Sequence, residues 1–440
     1  MKVAILGFGD QGRAALEYWG PKNDITICDQ NEDLKLPPNV DAQLGPGYLD
    51  ELDRFDLLIR APALHPRDIV AANSEHTLRK VTTVTEEFMR VCQAPIIGVT
   101  GTKGKGTTST LVTKILEAAG KTVHLGGNIG IPPLDLLKKT INPTDWVVLE
   151  LANYQLIDLH FSPRIAVCLM VAPEHLDWHK DMAEYVAAKQ NLFRYQLESA
   201  RAVYNRLNDY SYEVADVSPA FKVSYEVPTV DTSPQEKHGA YVDGGTIYYD
   251  DSVVCKVSDV ALLGRHNLEN VCAAIAATWE VIDGDKAAIY KVVTSLGSLP
   301  HRLEHIRDFE GISYYDDSYG TTPETAIAAL QAIPQPKVII LGGSDKKSNY
   351  GKLAETVRAS DVRTAVIIGQ MGPQIKKALE QVGFTDTVDG GNTMETIIAA
   401  SRKVAQKGDA VLLSTACASF GMFKDYEDRG DQFTRVVRAL

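Results

Sequence analysis

The sequence has no long hydrophobic run. Its longest unbroken apolar stretch, Ile165 to Ala172, falls far short of the roughly 20 residues a helix needs to cross a bilayer, which excludes a membrane-spanning helix. After Met1-Lys2 only a short apolar stretch precedes Asp10, with no small-residue cleavage site, so no secretory leader is expected. An excess of positive charge is also missing. Against 57 Asp and Glu stand 45 Lys and Arg, a formal net charge of −12, and such a surface gives a nucleic-acid backbone nothing to bind. Any anionic substrate must be held locally, by loops, metals or single cations. Cysteine is scarce: Cys28, Cys92, Cys168, Cys255, Cys272 and Cys417 form no C-x-x-C pair. They read as reduced core residues, and cytoplasmic residence is the expectation. No biased tract or internal repeat is present, which leaves solenoid and disordered architectures unsupported.

What is there is ordinary globular composition, 45% apolar and 23% charged over 440 residues, enough for about three domains at roughly 150 residues each. Short β-rich runs alternate with helical stretches: Val3 to Leu6, Leu57 to Ile59, Ile96 to Val99, Trp146 to Leu149, Ile165 to Met170, Val338 to Leu341, Ala365 to Ile368 and Ala410 to Leu413. That alternation predicts α/β layers with largely parallel sheets. Residues 210–260 differ. Tyr241 to Tyr249 places two strand-like runs around Asp243-Gly244-Gly245, which predicts an antiparallel hairpin inserted in, or edging, the middle domain. Boundaries fall before the strand at Ile96 and where a helical stretch ends at Leu299-Pro300, giving domains 1–92, 93–299 and 300–440.

Three glycine-rich loops follow strands. Gly7-Phe8-Gly9-Asp10-Gln11-Gly12 precedes a helix-like run, and Asp29 ends the next apolar run, the order of a dinucleotide or nucleotide-diphosphate site. Glycines there allow close backbone approach, so helix-terminal N–H groups can face a diphosphate. Gly101-Thr102-Lys103-Gly104-Lys105-Gly106-Thr107 departs from the strict P-loop, with Val99 at the first Gly position and Gly106 directly after the lysine. It still offers successive N–H groups, a lysine for terminal phosphates and a hydroxyl for Mg²⁺. The third loop, Leu341 to Lys347, is uninformative alone. Two nucleotide-type loops in one chain favour transfer between two phosphorylated ligands over hydride chemistry.

The second loop resembles the G-T-x-G-K-x-[ST] loop shared by Mur ligases and folylpolyglutamate synthases. Further matches to the Mur ligase family follow in order: Gly126 to Gly130, Glu150 to Leu156, Glu174-His175-Leu176-Asp177, Tyr185 to Lys189, Gly264 to Asn270, Pro300-His301-Arg302, Asp317-Ser318, Ser414 to Ser419 and Phe423 to Phe433. The resemblance implies a Rossmann-like N-terminal domain for a UDP-sugar, a central P-loop ATPase-type domain and a Rossmann-like C-terminal domain for an amino acid. It further implies an ATP-dependent amide ligase adding D-glutamate to UDP-N-acetylmuramoyl-L-alanine through an acyl phosphate. An L-glutamate-adding ligase, a folylpolyglutamate synthase-like ligase and an NAD-dependent oxidoreductase stand as alternatives.

By the same resemblance, Asp10, Gln11, Gly12, Asp29, Gln30 and Asn128 face the UDP-sugar. The loop from Gly101 to Thr107, with Asn267, Asn270, Arg302 and Asp317, binds ATP. Thr107 and Glu150 hold one Mg²⁺; His175 and Lys189, the lysine as its carbamate, serve a second. Thr321, Lys346, Ser419 and Tyr426 face the glutamate. His175 and His179 have zinc-pair spacing, but no H-E-x-x-H exists and zinc is not expected. Tyr319-Gly320-Thr321-Thr322 departs from the Lys-Ala-Thr-Asn of relatives, Ala152-Asn153 from Ser-Ser, and Ala61-Pro62-Ala63 from Ser-Pro-Gly. The expected assembly is a monomer.

Overall fold

The structure, a computed structural model, describes residues 1–440 apart from 39, 129, 230–231 and 345–347. Three sheets carry it. The first contains β1 (Lys2–Leu6), β2 (Asp24–Asp29), β3 (Asp41–Leu44), β4 (Leu57–Arg60) and β5 (Val81–Thr82) in the order β3-β2-β1-β4-β5, every pair parallel. Val3 to Leu6 are buried in succession, because helices cover both faces of a parallel sheet and leave no solvent side for polar residues. The strand order reverses between β1 and β4, and ligand crevices form beyond the carboxyl ends of strands at such a point.

The second sheet contains β6 (Ile96–Thr100), β7 (Val123–Gly127), β8 (Trp146–Glu150), β9 (Ile165–Cys168), β10 (Arg201–Asn205), β11 (Phe221–Glu226), β12 (Ala240–Asp243), β13 (Thr246–Tyr249) and β14 (Ser252–Lys256). Its order is β14-β13-β12-β11-β10-β9-β6-β8-β7. The expected hairpin is β12 and β13, antiparallel with Asp243 opposite Thr246. Gly244 and Gly245 supply the two positive φ angles, 53° and 76°, that a two-residue hairpin turn demands, and β14 pairs outside the hairpin as the edge strand.

The third sheet contains β15 (Glu304–Phe309), β16 (Ile312–Asp316), β17 (Lys337–Gly342), β18 (Val362–Ile368), β19 (Thr387–Asp389) and β20 (Ala410–Leu413) in the order β15-β16-β20-β17-β18-β19, antiparallel only at β15. The α/β class and the three sheets agree with the sequence reading. The chain divides into two compact units, Met1–Asp259 with Glu269–Val293, and Val260–Leu268 with Thr294–Leu440. The first unit holds both the first and the second sheet. All six cysteines are free thiols, five of them buried. No helix among the described residues is long and apolar enough to cross a membrane.

Candidate active site

In the first unit, β6 delivers its chain directly into the phosphate-type loop. Gly101 (φ 146°) and Gly104 (φ 88°) hold conformations that L side chains avoid. A Cβ on Gly101 would lie 2.6 Å from Leu169 Cβ, and one on Gly104 2.2 Å from Asn270 Oδ1, so both glycines are fixed by space as well as by φ. Gly104 precedes the helix Lys105–Ala118, whose first-turn N–H groups and positive dipole end suit an anion. Lys105 Nζ donates back to the carbonyls of Gly101 and Thr102 at 3.2 and 3.1 Å. Thr102 Oγ1 meets Tyr185 OH at 2.9 Å and accepts from Ala172 N–H at 3.0 Å. Lys103 pairs with Glu174 at 2.5 Å. Thr107 is buried in the first helical turn, and Thr108 Oγ1 lies 3.2 Å from Asn270 Oδ1.

Glu150 ends β8 directly beside this loop, opposite Val99 in the ladder. Its carboxylate is asymmetric. Oε1 accepts from Asn128 Nδ2 at 3.1 Å, while Oε2 is buried with no hydrogen-bond partner. A buried acceptor left unmade is costly, and a free carboxylate oxygen is the kind of donor a hard cation takes. Lys189, in the helix Met182–Arg194, is fully buried; its Nζ donates to Gly101 O at 3.1 Å and lies 4.4 Å from the Tyr185 ring centre. Burial, reinforced by Lys105, pushes its pKa down to about 7. His175 adopts φ 58° and lies 5.0 Å from the Tyr154 ring. Burial, with help from Lys105, lowers its pKa. Lys105, Glu150 and Lys189 thus converge on the Gly101 loop.

The first glycine loop lines a cleft of about 520 Å³ with Asp10, Gln11, Gly12, Asp29, Gln30 and Asn128 among its walls. All six residues expected at the UDP-sugar therefore share one cavity. Asp29 does more than face it: Oδ2 accepts from Phe8 N–H at 2.8 Å and Oδ1 from Asn31 N–H at 2.9 Å, so the carboxylate shapes both loops. Asn128 joins this cleft to Glu150 through one side chain.

In the second unit, Asp317 follows β16 and is half-buried. Ser414 Oγ donates to its Oδ2 at 2.6 Å and Leu303 N–H to its Oδ1 at 3.2 Å, and burial raises its pKa to about 7. Arg302 lies over Tyr319, its Cζ 3.7 Å from the ring centre, and Tyr319 meets Tyr426 edge-on at 5.1 Å. Ser419 is buried near the end of β20. Thr321 lies between β16 and the helix Pro323–Ala332, and Asn267 belongs to this unit too. Lys346 lies outside the described residues.

Residues 99–278 match the Mur ligase middle domain, and residues 301–417 match the Mur ligase glutamate ligase domain. The chain is 37% identical to a UDP-N-acetylmuramoylalanine–D-glutamate ligase of Acetivibrio thermocellus, over 100% of this chain and 96% of that one. The chain belongs to the Mur ligase family. A ligase of the same name from Clostridium kluyveri is 34% identical over 100% of this chain and 97% of its own. Among solved structures, MurC from Thermotoga maritima superposes with a TM-score of 0.61 at 16% identity, covering 100% of this Mur ligase and 99% of that chain. That likeness supports the three-sheet fold.

Sequence reasoning missed the junction between the first two sheets of this Mur ligase. Trp178 Nε1 donates to the cleft-lining Ala63 O at 2.9 Å. Glu184 Oε2 faces His65 Nε2 at 3.3 Å and His179 Nδ1 at 3.2 Å, and accepts from Lys180 N–H at 2.8 Å. Two histidines and a glutamate this close invite a metal, but Arg67 N–H donates to His65 Nδ1 at 3.0 Å. The proton must then sit on Nε2, the atom a metal would need, so the cluster is a hydrogen-bonded junction. Burial lowers both histidine pKa values, consistent with neutral rings. No local motif announces this, since His65 caps a helix of the first sheet's domain and Glu184 lies in the helix Met182–Arg194, 119 residues away.

Proposed function

We infer that the protein joins D-glutamate to the alanyl carboxylate of UDP-N-acetylmuramoyl-L-alanine at the expense of ATP, a step of peptidoglycan precursor synthesis carried out in the cytoplasm. The end-to-end match to ligases named for that reaction carries the reading, and the convergence of Lys105, Glu150 and Lys189 on one loop supports it. Both relatives are named for the D isomer, which favours it over L-glutamate.

A carboxylate is a poor acyl donor because oxide would have to leave. Phosphorylation gives an acyl phosphate, which the glutamate amine attacks to expel phosphate. The N-terminal cleft takes the UDP-sugar, with Asp10, Gln11 and Gly12 at the start of the helix Asp10–Trp19 beside the diphosphate and Gln30 toward the uracil end. Lys105 holds the transferred phosphate. Bound Mg²⁺ supplies charge that offsets the phosphate oxygens. Thr107 and Glu150 are the residues to hold one ion, and the orphaned Glu150 Oε2 fits that role. His175 and Lys189 would hold a second. For that, the Lys189 amine adds to CO₂ and releases one proton to solvent, leaving an anionic carbamate, and a pKa near 7 keeps the reactive neutral amine well populated. Asn267, Asn270, Arg302 and Asp317 are assigned to ATP, and Thr321, Lys346, Ser419 and Tyr426 to glutamate. In this reading residues 1–92, 93–299 and 300–440 bind UDP-sugar, ATP and glutamate respectively, and the enzyme works as a monomer.

The test is phosphate release together with amide product, measured with UDP-N-acetylmuramoyl-L-alanine and each glutamate enantiomer. Product with D-glutamate alone is expected. Product with L-glutamate alone, or none with either, overturns the reading.

A further inference from the structure

A second cavity, about 300 Å³, opens at the starting ends of central-sheet strands, opposite the ends that carry the phosphate loop. Trp146 and Ile165, which line it, begin β8 and β9, whereas Glu150 at the reaction site ends β8. Five residues of strand put the two about 13 Å apart, so this cavity is separate from the site described above.

Its charge opposes that of the whole chain. Of the four ionic side chains on its walls, Arg201 and Glu280 neutralise each other: Nε lies 3.1 Å from Oε1 and Nη2 2.8 Å from Oε2. Arg201 Nη1 is spent on the carbonyls of Ser199 and Ala200. Lys121 and Arg164 remain, and neither side chain has an ion pair or hydrogen bond among the described residues. On a chain of net charge −12, two uncompensated cations at one cavity mark an anion site. Aromatic rings share these walls with the polar groups. Arg164 stands 5.9 Å over the buried Trp146 ring, and Tyr249 is held in place by stacking on Trp279 at 4.4 Å and 10°. Ala276 and Ala277 also line the cavity. An engineered cavity of about 150 Å³ already accepts benzene, so this volume holds one aromatic ring with an anionic group attached.

We propose that this cavity is a binding site for a small planar organic anion, an aryl phosphate or aromatic carboxylate, whose charge lies between Lys121 and Arg164 and whose ring lies against Trp146 and Tyr249. Phosphate and carboxylate share the recognition chemistry, and phenyl phosphate is the probe.

Isothermal titration calorimetry on the full chain, with saturating Mg·ADP and UDP to occupy the other phosphate sites, tests it. Phenyl phosphate should bind the wild type. Arg164→Ala and Lys121→Ala should each weaken it about fivefold, the worth of one partly solvated charge contact. Inorganic phosphate, lacking the ring, and benzyl alcohol, lacking the charge, should each bind at least about tenfold more weakly. Arg164 is exposed and Lys121 half-buried, so the variants should fold; thermal melting checks this. No binding to the wild type, unchanged affinity in both variants, or inorganic phosphate binding as tightly as phenyl phosphate would each overturn the proposal.

Discussion

Arg60 and Asp158 form a two-bond fork between the first sheet and the second: Nε donates to Oδ2 and Nη2 to Oδ1, both at 2.6 Å. Arg60 is 1% exposed, and its other N–H groups reach the carbonyls of Ala61, Pro62, Leu64 and Tyr154. Every donor of a buried guanidinium is thereby used, and the loop lining the N-terminal cleft is tied to the central sheet. Asp158→Ala would leave that cation buried without its counter-charge. Unfolding free energy in urea should fall by about 3 kcal/mol, and KM for the UDP-sugar should rise, because the Ala61–Leu64 loop loses its anchor. A variant of wild-type stability would show that the fork contributes nothing to holding the two sheets together.

Glu150 depends on Asn128, whose amide holds Oε1 and leaves Oε2 free. Asn128→Ala removes that support, and KM for Mg·ATP should rise roughly tenfold, as for lost support behind a metal ligand. Glu150→Gln should cost kcat at least about 100-fold and flatten the dependence on magnesium. An unaltered magnesium titration in both variants would place the cation elsewhere.

Asp317 bears on pH. Its folded pKa, raised to about 7 by burial, stands above that of the unfolded chain, so between about pH 4 and 7 the folded state binds the extra proton. Its contribution to stability is therefore fully present below pH 4 and is lost as pH rises through 7. Asp317→Asn removes the titration while keeping an acceptor and a donor for Leu303 N–H and Ser414 Oγ. The melting temperature of this variant relative to wild type should climb across that window and level off above it. A difference independent of pH would mean that Asp317 does not titrate there.

Much of this was legible in the sequence because parallel sheets bury both faces. Val3 to Leu6, Ile96 to Val99, Trp146 to Leu149 and Ala410 to Leu413 read as strands without alternation, and after the first two of them glycine loops follow, where Gly7 and Gly101 take positive φ. What escaped was chemistry made between distant segments. Arg60 interrupts no pattern strongly enough to name a partner 98 residues away. Asp29 read as a ligand acid, and its two backbone hydrogen bonds depend on loops that only the folded β1–β2 pair brings together. Tyr319 was visible as a departure from relatives, but its stacking under Arg302 was not, since cation–π contacts leave no spacing rule in a loop.

Lys189 offers a direct chemical signature. With ¹³C-labelled bicarbonate, the protein should show a carbamate carbonyl resonance that Lys189→Arg abolishes, because an arginine stays protonated and cannot add CO₂. The resonance should fade as pH falls below 7, where the amine becomes charged. Its absence from the wild type at pH 8 would exclude the carbamate and leave His175 without its partner ligand.

The proposed reaction activates the alanyl carboxylate as an acyl phosphate before glutamate attacks. UDP-N-acetylmuramoyl-L-alanine labelled with ¹⁸O in that carboxylate tests it directly, by mass spectrometry of the released phosphate. One ¹⁸O should appear in phosphate for each amide formed with D-glutamate, because the oxygen that accepts the phosphoryl group leaves with it. Phosphate free of ¹⁸O, released while amide accumulates, would contradict the account.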